Sequence, residues 1–501
     1  MILRSNGNVN KYYLQTLCMV FFPGATFGGD EIGGAGVPEL YADVADIHGG
    51  VRAEVTMKLN DRVSHAEVTV SDAEETVIAD AGSVAVGRAV FDAGRSLLGY
   101  TPPWGILTGI RPAKIASSLL SGGAGVLKTK RILRDEYFLN PQKAALAVAV
   151  AQNEAKIIKK LGQNTCSLYI SIPFCPSRCA YCSFVSYTNS RLLSLVDDYI
   201  AALLADIDNT LMTINRLGLM VTTVYIGGGT PTILTHSQLE SLLSYISDRI
   251  NVSALDEFTL EAGRPDTITA EKLSVAAKYG VTRISVNPQT LNDEILREIG
   301  RKHTVDDFYR AYEIARGSNI RDINVDLIAG LPGDDFRNFS ETIDKVTELA
   351  PTNITVHTFC VKKASDILRE NSEVYSLTGG DAAKSVEYSQ LKTKLAGYRP
   401  YYMYRQKNTV GNLENVGYSL EGHEGLYNIY MMEEVQPIFA VGAGATTKLV
   451  RDDGNGGRII ERIFRPKYPY EYLREYAKDA KAPDSYAYKA TDKALGFYMN
   501  K

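Results

Sequence analysis

From Leu168 onward the chain alternates short β-branched runs with longer stretches of helical period, six times over, and this alternation restricts the fold more than any other feature. The pattern predicts strands near 167–172, 222–227, 257–262, 282–287, 322–328 and 353–359, from runs such as Val224-Tyr225-Ile226 and Ile354-Thr355-Val356. The first helix places Leu192, Leu195, Val196, Tyr199, Ile200, Leu203, Leu204 and Ile207 on one face. Two later helices open with capping boxes, Thr235 with Gln238 and Thr304 with Asp307, and two are expected to end at Gly280 and Gly317 in the left-handed conformation. Six β/α units make a parallel sheet but are too few to close an eight-stranded barrel, so the expectation is an open, crescent-like partial (β/α)6 barrel over 161–380. Residues 1–160 read as an α+β domain, with a helix near 10–22, strands near 51–59 and 65–71, and helices around 85–98 and 141–161; they indicate no role. Residues 381–501 read as a tyrosine-rich C-terminal α/β cap.

Cys175, Cys179 and Cys182, spaced C-x-x-x-C-x-x-C just after the first of these strands, put three thiols on one short loop. That is the pattern of a metal site. An iron–sulfur cube is normally held by four thiolates, so a three-cysteine loop would leave one iron open to a small molecule. Zinc is the rival, but a closed zinc site needs a fourth Cys or His at short spacing, and none stands in the next twenty residues. A disulfide plus a spare thiol is the weaker alternative. Cys18, Cys166 and Cys360 read as buried small hydrophobes.

The cysteine loop and its flanks resemble the radical S-adenosylmethionine superfamily, and within it the oxygen-independent coproporphyrinogen III dehydrogenase family in its HemZ-like branch. The resemblance spans about residues 90–480. It is carried also by Gly-Gly-Gly-Thr-Pro (Gly227 to Pro231), Leu-Glu-Ala-Gly-Arg-Pro-Asp (Leu260 to Asp266), Arg-Ile-Ser-Val-Asn-Pro-Gln-Thr (Arg283 to Thr290), Ile-Gly-Arg-Lys-His-Thr (Ile299 to Thr304) and Asn-Val-Asp-Leu-Ile-Ala-Gly-Leu-Pro-Gly (Asn324 to Gly333). Two further segments, Trp104 to Pro112 and Gly411 to Tyr418, are typical of the branch. The resemblance implies a [4Fe-4S] cluster on Cys175, Cys179 and Cys182, with S-adenosylmethionine on the open iron, split by an electron to a 5′-deoxyadenosyl radical. It implies cofactor contacts from Tyr169, Tyr181, Gly228, Gly229, Thr230, Glu261, Gln289, Arg301 and Asp326. The glycines would admit the ligand and offer N–H donors. A salt bridge from Glu261 to Arg264 or Arg283 is the structural alternative.

The implied reaction is oxidative decarboxylation of coproporphyrinogen III to protoporphyrinogen IX, with an electron donor that the sequence does not identify. Such a substrate needs an apolar cleft and cations. Tyr401, Tyr402, Tyr404, Arg405 and Lys407 are the expected wall, and Gly442, Ala443 and Gly444 a loop of close approach. His303 and His357 read as hydrogen-bonded core residues rather than proton donors. Ser171 stands where the family commonly has histidine. Two alternatives remain open: a haem-binding or haem-delivering protein on the same fold, with Cys360, His357 or His423 as axial ligand, and a radical enzyme with another substrate.

A net charge of −4 argues against a nucleic-acid partner held by phosphate contacts. The longest apolar run, Ala144 to Ala151, is too short to span a bilayer, and no apolar stretch of signal-peptide length opens the chain. Iron-binding thiolates need a reducing compartment, so the expected location is cytoplasmic, with no membrane partner.

Overall fold

The computed structural model describes residues 1–28, 36–72, 80–109, 111–182, 187–360, 380–406, 409–454 and 457–499. Their fifteen strands form two sheets. The first is four-stranded, with β1 (Ile2–Asn6) parallel to β2 (Glu39–Ile47), and β3 (Gly50–Leu59) and β4 (Arg62–Ser71) following in an antiparallel meander. Alternate residues of β3 (Ala53, Val55, Met57) turn inward against the helix Ala81–Leu98. Further helices, Ala113–Ser121, Val126–Asp135 and Pro141–Ile158, lead to the second sheet.

The six strands expected from the sequence occur as β5 (Thr165–Ile172), β6 (Met220–Gly228), β7 (Glu257–Leu260), β8 (Arg283–Ser285), β9 (Asp322–Ala329) and β10 (Asn353–Thr358). They lie in chain order and all parallel. Seven of the eight residues of β5 are buried, as expected of a strand covered on both faces. The first crossover helix, Val196–Arg216, buries Tyr199, Ile200, Leu203 and Ile207, the anticipated face. Both capping boxes form. Gly280 takes the left-handed conformation at φ +82°, but Gly317 does not: its φ of −80° continues the helix, and the chain turns two residues later at Asn319, φ +62°. Asparagine is one of the few side chains that tolerates that region.

The described strands within 381–501 extend the barrel sheet at both edges. β11 (Arg399–Arg405) and β12 (Glu414–Ser419) add antiparallel beyond β10, while β13 (Ile438–Val441) runs parallel beside β5 and continues into β14 (Thr446–Asp452) and β15 (Arg458–Phe464). The result is an open eleven-stranded α/β sheet whose parallel centre is the partial barrel.

Ion pairs close its lower rim, where the strands begin. Arg283 bonds Glu257 at 3.1 Å and Asp322 at 3.2 Å, Asp322 also holds His423 at 2.6 Å, and Glu257 accepts the N–H groups of Leu426 and Tyr427. That cap on the N-terminus of the helix Leu426–Glu433 fixes Tyr427 against the inner face. No helix among the described residues is long and apolar enough to cross a membrane.

Candidate functional site

The cysteine loop leaves β5 at Ile172 and is braced by the glycine turn that leaves β6. The N–H groups of Gly229 and Thr230 bond Ile172 O and Phe174 O, each at 2.8 Å. Of the glycine N–H groups read as ligand donors, that of Gly229 is therefore bonded within the protein, to Ile172 O. The glycines are needed for closeness: a Cβ on Gly229 would stand 2.5 Å from Phe174 O, and one on Gly228, at φ +108°, 2.9 Å from Ser171 Oγ. Cys175 and Cys179 are buried and Cys182 half-buried. All six cysteines are free of disulfides. Cys18 and Cys166 are fully buried, and burial pushes the Cys18 thiol up to about 12; Cys360 is only half-buried.

Among the described residues no group of three His, Cys, Asp or Glu side chains is gathered around one point at metal-ligand distance, the three thiols of the loop included. The donor set still suits an iron–sulfur cluster: three cysteines on one loop, none of them in a disulfide, with the Arg264 guanidinium beside Cys179. Arg264 places Nη1 3.8 Å from Cys179 Sγ, and Thr230 Oγ1 lies 3.3 Å from Cys175 Sγ. Arg264 is tied to Asp266 by two 2.9 Å bonds and Arg283 belongs to the lower rim, so the alternative of a bridge from either to Glu261 does not form.

Beside the loop, the upper ends of the parallel strands bring together the other expected residues. Register sets Glu261 beside Gly227, whose missing side chain leaves the space that the carboxylate fills: a Cβ there would meet Glu261 Oε2 at 2.5 Å. Burial and the neighbouring Asp326 push the Glu261 carboxyl up to about 8. Burial also opposes ionisation of Asp326, but His357, Asn324 and Thr355 outweigh it and hold that carboxyl below the usual range. No lysine or arginine pairs with either carboxylate among the described residues. Two neighbouring acids, with only His357 beside one of them, suit an ammonium or hydroxyl ligand.

Gln289 holds φ +71°, with its N–H on Asp326 O and its carbonyl accepting from Ile328, while its buried Oε1 has no partner. A positive φ and an orphaned amide oxygen at one residue are features that a ligand contact would account for. Arg301 is buried. Its guanidinium donates to Gly263 O, Asn287 O and the hydroxyl of Tyr181, and no carboxylate pairs with it among the described residues. Tyr169 lies deeper, stacked with Tyr225 and Tyr427 at centroid distances of 4.6–6.2 Å, and the three rings make an aromatic floor. The sequence reading missed Tyr225 and Tyr427; neither stands in a motif that marks it.

The expected substrate wall is different. Tyr401 and Tyr402 sit in the core with Ile157 and Ile429, and Tyr404 bonds His357 at 3.2 Å. Arg405 is buried, pushed down to about 10 by burial, packed over Trp104 at 5.6 Å and donating to Leu107 O and Asn412 O. It is a structural cation, and Lys407 lies outside the described residues. Gly442 and Ala443 pack on Ser171 and Tyr199: Ser171 Oγ donates to Ala443 O at 3.0 Å, and a Cβ on Gly442 would meet Ser171 O at 2.6 Å. His303 is buried but not hydrogen-bonded; both ring nitrogens lack partners, and burial with the Arg301 charge lowers its pKa to about 4.

Residues 169–346 match the family model of the radical SAM superfamily. Oxygen-independent coproporphyrinogen-III oxidase-like protein HemZ of Bacillus subtilis is 40% identical over 383 residues, 75% of this chain and 75% of that protein. Heme chaperone HemW of Escherichia coli is 29% identical over 67% of this chain and 82% of its own length, and HemW of Bacillus subtilis 31% identical over 62% and 79%. The solved coproporphyrinogen III oxidase (HemN) of Escherichia coli, a radical SAM enzyme, aligns at 18% identity with a TM-score of 0.44, covering 69% of this chain and 83% of that one. The chain belongs to the HemZ family of oxygen-independent coproporphyrinogen-III oxidase-like proteins, within the radical SAM superfamily. Membership in that superfamily implies a [4Fe-4S] cluster and S-adenosylmethionine.

Proposed function

We propose that this chain is a radical SAM oxidoreductase that decarboxylates coproporphyrinogen III oxidatively to protoporphyrinogen IX. The observation that carries the catalytic part is the three-cysteine loop, set beside two acids, Glu261 and Asp326, that no lysine or arginine pairs among the described residues. Cys175, Cys179 and Cys182 would hold the cluster. Glu261 and Asp326 would take the amino group and hydroxyls of S-adenosylmethionine, Arg301 its carboxylate, and Gln289 Oε1 a donor, with Tyr181 fixing Arg301 and Tyr169 in the floor beneath. Gly228, Gly229 and Thr230 would shape the rim that lets the ligand approach the loop. When bound, cluster and cofactor supply one-electron reduction and radical hydrogen abstraction; the chain's residues orient them and exclude water. The substrate part rests on the HemZ relative, because Arg405 is not available to a substrate carboxylate.

Anaerobic protein with reconstituted cluster, a chemical reductant as electron donor, and coproporphyrinogen III should release carbon dioxide and consume S-adenosylmethionine in proportion. The second reading, haem delivery, is favoured by the HemW relatives and by the absence of Arg405 from the cleft. Cofactor cleavage without decarboxylation, together with tight haem binding, would decide for it.

A further inference from the structure

We propose that Arg264 and Thr230 are positioning residues of the metal loop, each donating to the sulfur of one cysteine and together raising the reduction potential of the cluster held there. The inference rests on the cluster reading above and extends it to how the cluster is tuned.

Arg264 is 3% exposed and reaches from the turn after β7 to the loop after β5. Nε and Nη2 each bond Asp266 at 2.9 Å, while Nη1 is left to Ser177 Oγ at 3.0 Å and Cys179 Sγ at 3.8 Å. The planar fork matters: the two nitrogens of one edge are fixed on one carboxylate, so the third nitrogen points in one direction. Lysine carries the same charge without that direction. Thr230 is 2% exposed, and its backbone bond to Phe174 O pins the residue whose hydroxyl stands 3.3 Å from Cys175 Sγ. These contacts come from two different strands and reach two different cysteines. Reduction adds negative charge to an iron–sulfur cluster and its thiolates, so a cation or hydroxyl donor at the sulfur stabilises the reduced form more than the oxidised one.

The test is a redox titration of the reconstituted protein followed by electron paramagnetic resonance, without S-adenosylmethionine, so that any role of Thr230 toward that ligand does not enter. Arg264→Gln and Thr230→Val should each shift the reduction equilibrium roughly tenfold toward the oxidised form, about 59 mV for a one-electron couple. Thr230→Ser should keep the wild-type midpoint, and Arg264→Lys should fall between wild type and Arg264→Gln. Asp266→Asn removes the counter-charge of the guanidinium and should move the midpoint the opposite way. A role in folding alone would move none of these midpoints in opposite directions. Should Arg264→Gln fail to keep iron, Thr230→Val and Asp266→Asn decide by the same titration. Unchanged midpoints with an intact cluster, or Asp266→Asn shifting in the same sense as Arg264→Gln, overturn the inference while leaving the cluster reading in place. Wild-type protein that holds no cluster overturns both.

Discussion

Replacing Lys143 by methionine should destabilise the protein by about 3 kcal/mol at neutral pH, through a carboxylate more than 270 residues away in sequence. Glu414 has no solvent exposure and Lys143 only 1%; they meet at 2.5 Å, and the same carboxylate accepts Trp104 Nε1 at 2.8 Å and Gln390 Nε2 at 2.9 Å. Breaking a buried pair from one side costs about 3–5 kcal/mol because a charge is stranded. Two of the three donors survive in Lys143→Met, and hydrogen bonds to a charged group are worth about 1.5–3 kcal/mol each, so the lower end of the range applies. Burial works against the Glu414 carboxylate, but Lys143 and Trp104 prevail and hold its pKa below the ordinary value. Its contribution is therefore complete above about pH 4.3 and is lost as pH falls through the folded value. Without Lys143 the carboxyl pKa should rise, protonation should relieve the stranded charge, and the deficit should shrink between pH 7.5 and pH 5. Urea unfolding followed by the fluorescence of Trp104, the chain's one tryptophan, reports on this cluster directly. The double variant Lys143→Met, Glu414→Gln should cost less than the sum of the two single changes. A cost below about 1 kcal/mol for Lys143→Met, or one that does not change with pH, would refute the reasoning.

Serine at Cys175, Cys179 or Cys182 should abolish the iron content of anaerobically prepared protein, while Cys18→Ala, in the N-terminal core, should leave it unchanged; iron assay after gel filtration checks both. Gly229→Ala should lose iron too and cost about 1–3 kcal/mol, since the added carbon would press on two carbonyls of the cysteine loop, whereas Gly125→Ala, with nothing within 4 Å, should do neither. Glu261 has a raised folded pKa, so the native state binds its proton more tightly than the unfolded chain, and stability should fall as pH rises from about 4.3 to 8. Glu261→Gln should flatten that slope in denaturation measured across the window; an unchanged slope would place the titration elsewhere.

Most of the six parallel strands were legible because β5, β6, β9 and β10 carry buried β-branched runs, as strands covered on both faces do. The edges of the sheet were not. β13 pairs with β5 through Ala440 and Tyr169, some 270 residues apart, and four residues of Ile-Phe-Ala-Val carry no sign of which edge they will join. The site divides in the same way. Motifs fixed which residues stand at the upper rim, but not which donors and charges are already spent. Arg405 reads in sequence as a cation beside tyrosines; only the fold shows Trp104, Leu107 and Asn412 around it. Arg264 reads as one of two alternative partners for Glu261, yet Asp266, two residues away, captures the guanidinium.

The brackets on the cysteine loop explain why so much of the chain belongs with it. Gly229 and Thr230 hold its start, Ile299 O accepts the N–H of Ala180 in its middle, Arg264 reaches Ser177 and Cys179, and Tyr187 O accepts from Cys175 while its hydroxyl donates to Lys467 O. Those supports come from the turns after β6 and β7, from the end of the helix Asp293–Glu298 that follows β8, and from the segment after β15. A three-cysteine loop has no fourth ligand to close it, so its shape is set by these neighbours rather than by metal alone. A chain ending before β13 would keep every cysteine and every barrel motif, but β5 would become an open edge and the strand that carries the loop would lose one of its two partners. The C-terminal strands, which hold none of the residues assigned to metal or cofactor, are in this sense part of the metal site.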